Sequence, residues 1–235
     1  MNPENVEVLI LVGGKGTRLQ AVVSDVPKPM APIQNKPFLE YLIKNLKSQR
    51  FQNIALLTGY MAPKISDHFG SGQEFGVKVR YSHEESPLGT GGAIKKAINS
   101  SDFKEFLILN GDTYFDIPFG EIVLPEGAEI SMVVCHMDDL SRYGQVLTDG
   151  EGRLTGFAEK SLIPSSGQIN AGVSFARKSL THWIPEDRVS FESVILPHLI
   201  AQKLVVIQPF CATFIDIGIP SDFQRAQTLI PSLSR

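Results

Sequence analysis

Val6-Glu7-Val8-Leu9-Ile10-Leu11-Val12 is apolar at all but one position and stops at a double glycine. A nearly continuous apolar run of this length predicts a strand buried on both faces, as in a parallel sheet. Phe38, Leu39, Leu42, Ile43 and Leu46 recur at four-residue spacing, which predicts an amphipathic helix. Between them, Pro27, Pro29, Pro32 and Pro37 fix φ and hold their predecessors extended, so Val22 to Pro37 reads as a stiff ordered loop. Further strands are expected at Asn53–Thr58, Val77–Tyr81 and Phe106–Leu109, with a helix over Gly91–Ile98. Strand and helix therefore alternate through the first half. That order predicts an α/β fold, a mostly parallel sheet with helices on both faces, whose ligands bind beyond the carboxyl ends of the strands.

After about Ile117 the texture changes. Ile130–His136 reads as a strand, and Gly144–Thr148 and Arg153–Glu159 flank an Asp149-Gly150-Glu151-Gly152 hairpin turn. Ile169–Ala176, Leu204–Gln208 and Ala212–Ile217 are expected strands. Ser190–Gln202 is an expected helix, capped by Ser190 and bent near Pro197, and Ser221–Leu229 a closing one. The 235 residues fit one large domain, 1–235, built of two joined halves that divide at 116/117, with no flexible linker between them.

Composition narrows the function classes. Lys+Arg is 22 and Asp+Glu 25, a net charge of −3, which argues against nucleic acid as the main partner but not against small anions. The two cysteines, Cys135 and Cys211, belong to no metal-binding spacing and read as reduced thiols. No apolar run is long enough for a membrane span or a signal-peptide core, so the cytoplasm is the expected compartment.

Three constellations carry chemistry. Gly13-Gly14-Lys15-Gly16-Thr17-Arg18 follows a strand, where small residues let backbone N–H groups surround phosphate oxygens and two cations add charge. It fits neither the Walker A loop nor the dinucleotide fingerprint. Ten residues on, Lys28 is locked between Pro27 and Pro29, a second cation for the same phosphates. The second constellation, Glu84 to Gly92, is another glycine-rich turn before a helix. A carboxylate there can accept side-by-side N–H and NH₂ donors, an edge that guanine offers and uracil and thymine do not. The third joins Asn110-Gly111-Asp112 to Asp216 in Phe214-Ile215-Asp216-Ile217-Gly218, two carboxylates suited to Mg²⁺ shared with substrate phosphates. Each glycine or aspartate alone also fits a turn with no ligand.

Together these phrases resemble the sugar-1-phosphate nucleotidyltransferases. The resemblance continues through Lys28-Pro29, Tyr143-Gly144, Glu159-Lys160 and Asn170-Ala171-Gly172, in order along nearly the whole chain. It implies a Rossmann-like, GT-A-type mixed sheet with a smaller sugar-binding subregion. The first half (1–116) would bind the nucleotide and the second (117–235) the sugar phosphate. Carried over position by position, Gly13, Gly14, Lys15, Gly16 and Thr17 would hold the triphosphate, and Arg18 and Lys28 would neutralise the reacting phosphates. Glu84, Gly89 and Thr90 would meet the nucleoside, and Gly144, Glu159, Lys160 and Asn170 the sugar phosphate. Asp112 and Asp216 would hold Mg²⁺. The implied substrates are a nucleoside triphosphate, GTP on the guanylyltransferase-like phrasing, and a heptose or mannose 1-phosphate. A homo-oligomer is compatible with this. UTP, CTP or dTTP, or a non-catalytic nucleotide-sugar sensor, are the alternatives; Arg18, Lys28, Asp112 and Asp216 together favour the enzyme.

Overall fold

A computed structural model describes residues 1–19, 23–158 and 165–233. In chain order the elements are β1 (Val6–Leu11), the short pair β2 (Pro32–Ile33) and β3 (Lys36–Pro37), α1 (Phe38–Ser48), β4 (Asn53–Thr58), α2 (Ala62–Phe69), β5 (Lys78–His83), α3 (Gly89–Asn99), β6 (Glu105–Asn110) and β7 (Thr113–Phe115). Then follow β8 (Ile130–Met137), β9 (Gln145–Thr148), β10 (Leu154–Ala158), β11 (Gly167–Arg177), α4 (Leu196–Ala201), β12 (Val205–Pro209), β13 (Phe214–Asp216) and α5 (Pro220–Leu233).

Nine strands form one sheet. Its first half runs β6-β1-β4-β5 with every pair parallel. β11 lies antiparallel between β6 and β8, β12 runs parallel to β8, and the β9–β10 hairpin joins at the start of β11. Within this sheet only β10 and β11 run against the rest, which makes it the mostly parallel mixed sheet expected. The sheet is continuous across residue 116, because β11 from the second half pairs with β6 from the first.

β1 explains why its sequence is almost unbroken. Val6, Val8 and Ile10 face one core with α1 and α2, while Leu9 faces a second core with α3 and α4. Burying each such side chain contributes about 1.5–3 kcal/mol. The polar exception, Glu7, is 4% exposed and is held by a bidentate pair with Arg80 on β5, at 2.6 and 2.7 Å.

Three expectations need adjustment. The proline-rich stretch is more than a loop: a helical turn at Lys28–Met30 and the β2–β3 pair order it. The helix expected over Ser190–Gln202 opens as a π-type turn at Phe191–Ile195, with the Ser190 hydroxyl capping the Ser193 N–H, and becomes α only from Leu196. α2 was not anticipated, since its start is set by Met61 in a left-handed conformation (φ 52°) and no capping side chain marks it.

Candidate active site

β1, β4, β5 and β6 are parallel, so their carboxyl ends open on one edge. A cleft of about 1100 Å³ lies there. Of the sequence-predicted residues it is lined by the whole Gly13–Arg18 loop, Lys28, Glu84, Gly89, Thr90 and Asp112. Asp216 joins through its neighbours, as Gly218 also lines the cleft.

The convergence of the two aspartates is a matter of strand register. β7 and β13 form an antiparallel ribbon in which Thr113 stands opposite Asp216, and the Ile217 N–H donates to the Asp112 carbonyl at 3.0 Å. The side chains of Asp112 and Asp216 therefore share one neighbour. Lys28 Nζ lies 2.5 Å from Asp112 Oδ2 and 3.5 Å from Asp216 Oδ1, with its side chain 9% exposed. Gly16 (φ 59°) makes room for this lysine, since a Cβ there would come within 2.7 Å of Lys28 Cβ. Gly218 does the same for the aspartate: its N–H donates to Asp216 Oδ1 at 2.7 Å, and a Cβ would lie 2.8 Å from that oxygen. Burial, and then the charge of Asp112, hold the Asp216 carboxyl above the usual aspartate range. Lys28, the Gly218 N–H and Arg18 pull it back. Two carboxylates and one ammonium thus form a single charged cluster beside the glycine loop.

Glu84 follows β5 and has one oxygen engaged. Oε2 accepts from the Leu88 N–H at 3.0 Å, while Oε1 packs where Gly13 and Gly59 lack side chains. Thr90 lines the cleft, and its hydroxyl donates to Glu192 Oε2 at 2.7 Å and accepts from the Phe191 N–H at 2.8 Å.

Of the sugar-side residues, Gly144 and Asn170 are not among those lining this cleft. Gly144 packs against the Ala158 carbonyl, and Asn170 Oδ1 accepts from the Gly172 N–H at 2.9 Å at a bulge in β11. Gly172 packs in turn on Asn110, which does line the cleft. Glu159 and Lys160 lie outside the described residues.

Sequence reasoning passed over several residues that belong to this neighbourhood. Arg188 and Glu192 line the cleft, Arg188 just ahead of the expected Ser190–Gln202 helix and Glu192 within it. Arg142 forms a 2.5 Å pair with Asp222 on α5, and the ring of its neighbour Tyr143 packs edge-on against Phe214, on the strand that carries Asp216. Burial pushes the Tyr143 phenol up to about 12, with Arg142 opposing. For Tyr143 the Tyr143-Gly144 phrase was the available signal, and nothing in the sequence marked Arg142.

The described residues contain no helix long and apolar enough to cross a membrane. The chain is 40% identical over 225 residues to D-glycero-alpha-D-manno-heptose 1-phosphate guanylyltransferase of Aneurinibacillus thermoaerophilus, an alignment covering 94% of this chain and 96% of that protein. It is 32% identical over 231 residues to mannose-1-phosphate guanylyltransferase of Mycobacterium tuberculosis, covering 96% of this chain and 64% of that one. Its fold superposes on the crystal structure of HddC from Yersinia pseudotuberculosis complexed with GMP-PN with a TM-score of 0.82 at 36% identity, covering 94% and 97% of the two chains. The family model for nucleotidyl transferases matches residues 7–232, almost end to end, and with these likenesses it establishes that the chain belongs to the nucleotidyl transferase family.

Proposed function

We propose that this enzyme transfers the guanylyl group of GTP to a sugar 1-phosphate, with D-glycero-α-D-manno-heptose 1-phosphate as the acceptor and pyrophosphate as the second product. The observation that carries the reading is the meeting of Lys28 with Asp112 and Asp216 beside the glycine loop. The names of the heptose relatives and the GMP-PN complex of HddC support the choice of base and acceptor.

In the proposed reaction a phosphate oxygen of the sugar phosphate attacks the α-phosphorus of GTP in line. The new O–P bond forms as the bond from the α-phosphorus to the bridging oxygen breaks, and that electron pair leaves with pyrophosphate. The attacking phosphate is already ionised at neutral pH, so no protein nucleophile and no general base are required. The chain's contribution is positioning and charge stabilisation. Backbone N–H groups of Gly13–Thr17 hold the triphosphate, and Arg18 and Lys28 offset the charge that gathers on the α-phosphate and the leaving group. Lys160 pairs with the acceptor phosphate, and Gly144, Glu159 and Asn170 serve the sugar. Glu84 accepts from the N1–H and N2–H₂ edge of guanine, held in place by the Leu88 N–H.

Asp112 and Asp216 fit a hard divalent cation: two oxygen donors meet, one of them held in an unfavourable buried charge state that a cation would relieve. Among the described residues no third His, Cys, Asp or Glu joins them, so the remaining ligands would be phosphate oxygens and water. Mg²⁺ bound there would supply charge neutralisation at the phosphates. The cytoplasm, where GTP is consumed, is the compartment this reading requires.

The test is pyrophosphate release from the purified protein with each nucleoside triphosphate and a panel of sugar 1-phosphates. GTP with the heptose 1-phosphate should give the highest kcat/KM. Preference for mannose 1-phosphate would overturn the acceptor, preference for another triphosphate the base, and binding of a nucleotide sugar without turnover the enzyme itself.

A further inference from the structure

The stretch from Arg188 to Phe191 crosses the start of α3 as a backbone clasp. The Val189 N–H donates to the Leu88 carbonyl at 2.9 Å, and the Val189 carbonyl accepts from the Gly91 N–H at 3.0 Å. The Thr90 hydroxyl closes the clasp by its two bonds to Phe191 and Glu192. Gly89, at φ 72°, is what allows the approach: a Cβ there would lie 2.4 Å from the Val189 carbonyl oxygen. A chain segment held this tightly fixes where its side chains emerge.

Leu88 links the clasp to Glu84. Its N–H is bonded to Glu84 Oε2 and its carbonyl to Val189, so one peptide residue spaces the carboxylate from the segment that carries Arg188. Arg188 is exposed and lines the same cleft as Glu84. Among the described residues its guanidinium has no ion-pair or hydrogen-bond partner, although Glu85 and Glu192 line that cleft too. Glu192 is already engaged by Thr90.

Resting on the guanylyl reading above, we propose that Arg188 is a specificity-determining residue that donates to the O6 and N7 acceptors of guanine, while Glu84 accepts from the N1–H and N2–H₂ edge. A guanidinium fork matches this pair of acceptors, and a carboxylate cannot. Adenine turns an amino donor toward the same fork, and pyrimidines have no N7. A carboxylate alone tells guanine from uracil by the 2-amino edge; the added arginine rejects adenine.

The experiment compares GTP with 7-deaza-GTP, in which a C–H replaces the N7 acceptor, for the wild type, Arg188→Ala and Arg188→Lys. Pyrophosphate release is the readout, and thermal unfolding checks the fold. The wild type should disfavour 7-deaza-GTP. Arg188→Ala should raise KM for GTP roughly 5- to 150-fold, the equivalent of a bidentate base contact worth about 1–3 kcal/mol, with kcat little changed. It should also treat GTP and 7-deaza-GTP alike, and Arg188→Lys should fall between. An unchanged GTP to 7-deaza-GTP ratio in Arg188→Ala overturns the assignment, as does a wild type that uses GTP without penalty for the deaza analogue. Both results leave the guanylyl reading intact. A wild type that prefers another triphosphate to GTP overturns both.

Discussion

Lys28 and Asp112, 84 positions apart in the chain, meet at 2.5 Å, and the same ammonium reaches Asp216 at 3.5 Å. A lysine inside a proline-locked turn is thereby fixed by two carboxylates from different strand ends. Such a contact organises the glycine-loop end of the cleft without contributing to either hydrophobic core.

Lys28→Ala should therefore fold and lose turnover. Removing one charge-stabilising contact costs about 2.7–4 kcal/mol, or 10²–10³ in kcat. Steady-state kinetics on the purified variant, with circular dichroism as the control for folding, measure this. Near wild-type turnover would remove Lys28 from the reaction.

Asp216 yields a pH prediction with a definite sign. Burial and Asp112 raise its folded value, so the folded chain binds this proton more readily than the unfolded chain. The associated stability is fully present below the ordinary aspartate value of about 3.9 and is lost as pH rises through the folded value. Asp216→Asn removes the buried charge and keeps an oxygen for the Gly218 N–H. Its stability at pH 8 should equal or exceed that of the wild type, and the margin should shrink towards pH 4. Turnover should fall 10²–10³-fold, and the Mg²⁺ titration should weaken. Urea unfolding at the two pH values would expose a wrong sign at once.

Gly89→Ala should strain the base end of the cleft. A non-glycine residue in the left-handed region costs about 1–2 kcal/mol, and the Val189 carbonyl must also move away. For a chain of this size the melting temperature should drop by roughly 2–8 °C, with a raised KM for the nucleotide. Calorimetry showing no change would mean that the clasp is not built as described.

Arg80→Met tests the packing of β1 apart from the chemistry. It would leave Glu7, 4% exposed, without its partner, a loss on the order of 3 kcal/mol. kcat of the folded fraction should be unaffected, because neither residue lines the cleft. A loss below about 1 kcal/mol would show that solvent already screens the pair.

What could be read from the sequence follows from how locally each feature is determined. β1 and α1 were legible because burial on two faces or one imprints a residue pattern. The glycine loop and Lys28 were legible because backbone approach and proline locking also demand particular residue types. Asp112 and Asp216 could be named, but their meeting depends on the register of two three-residue strands, which no periodicity reveals. Arg188 left no trace, because its segment is held by main-chain bonds to Leu88 and Gly91 that place no demand on its own side chains. Thr90 shows the converse: it lines the cleft, but both bonds of its hydroxyl serve the clasp. Gly144 and Asn170 fall outside the cleft because the hairpin and the β11 bulge that carry them belong to the far side of β6.

The β7–β13 ribbon also bears on the order of events during synthesis. Its strands are about a hundred residues apart in the chain, and the ribosome delivers the first long before the second. A nascent chain halted short of residue 214 could already lay β1, β4, β5 and β6 side by side, yet it would carry Asp112 without its counterpart. Catalytic competence would then arrive late and all at once, after most of the sheet is assembled.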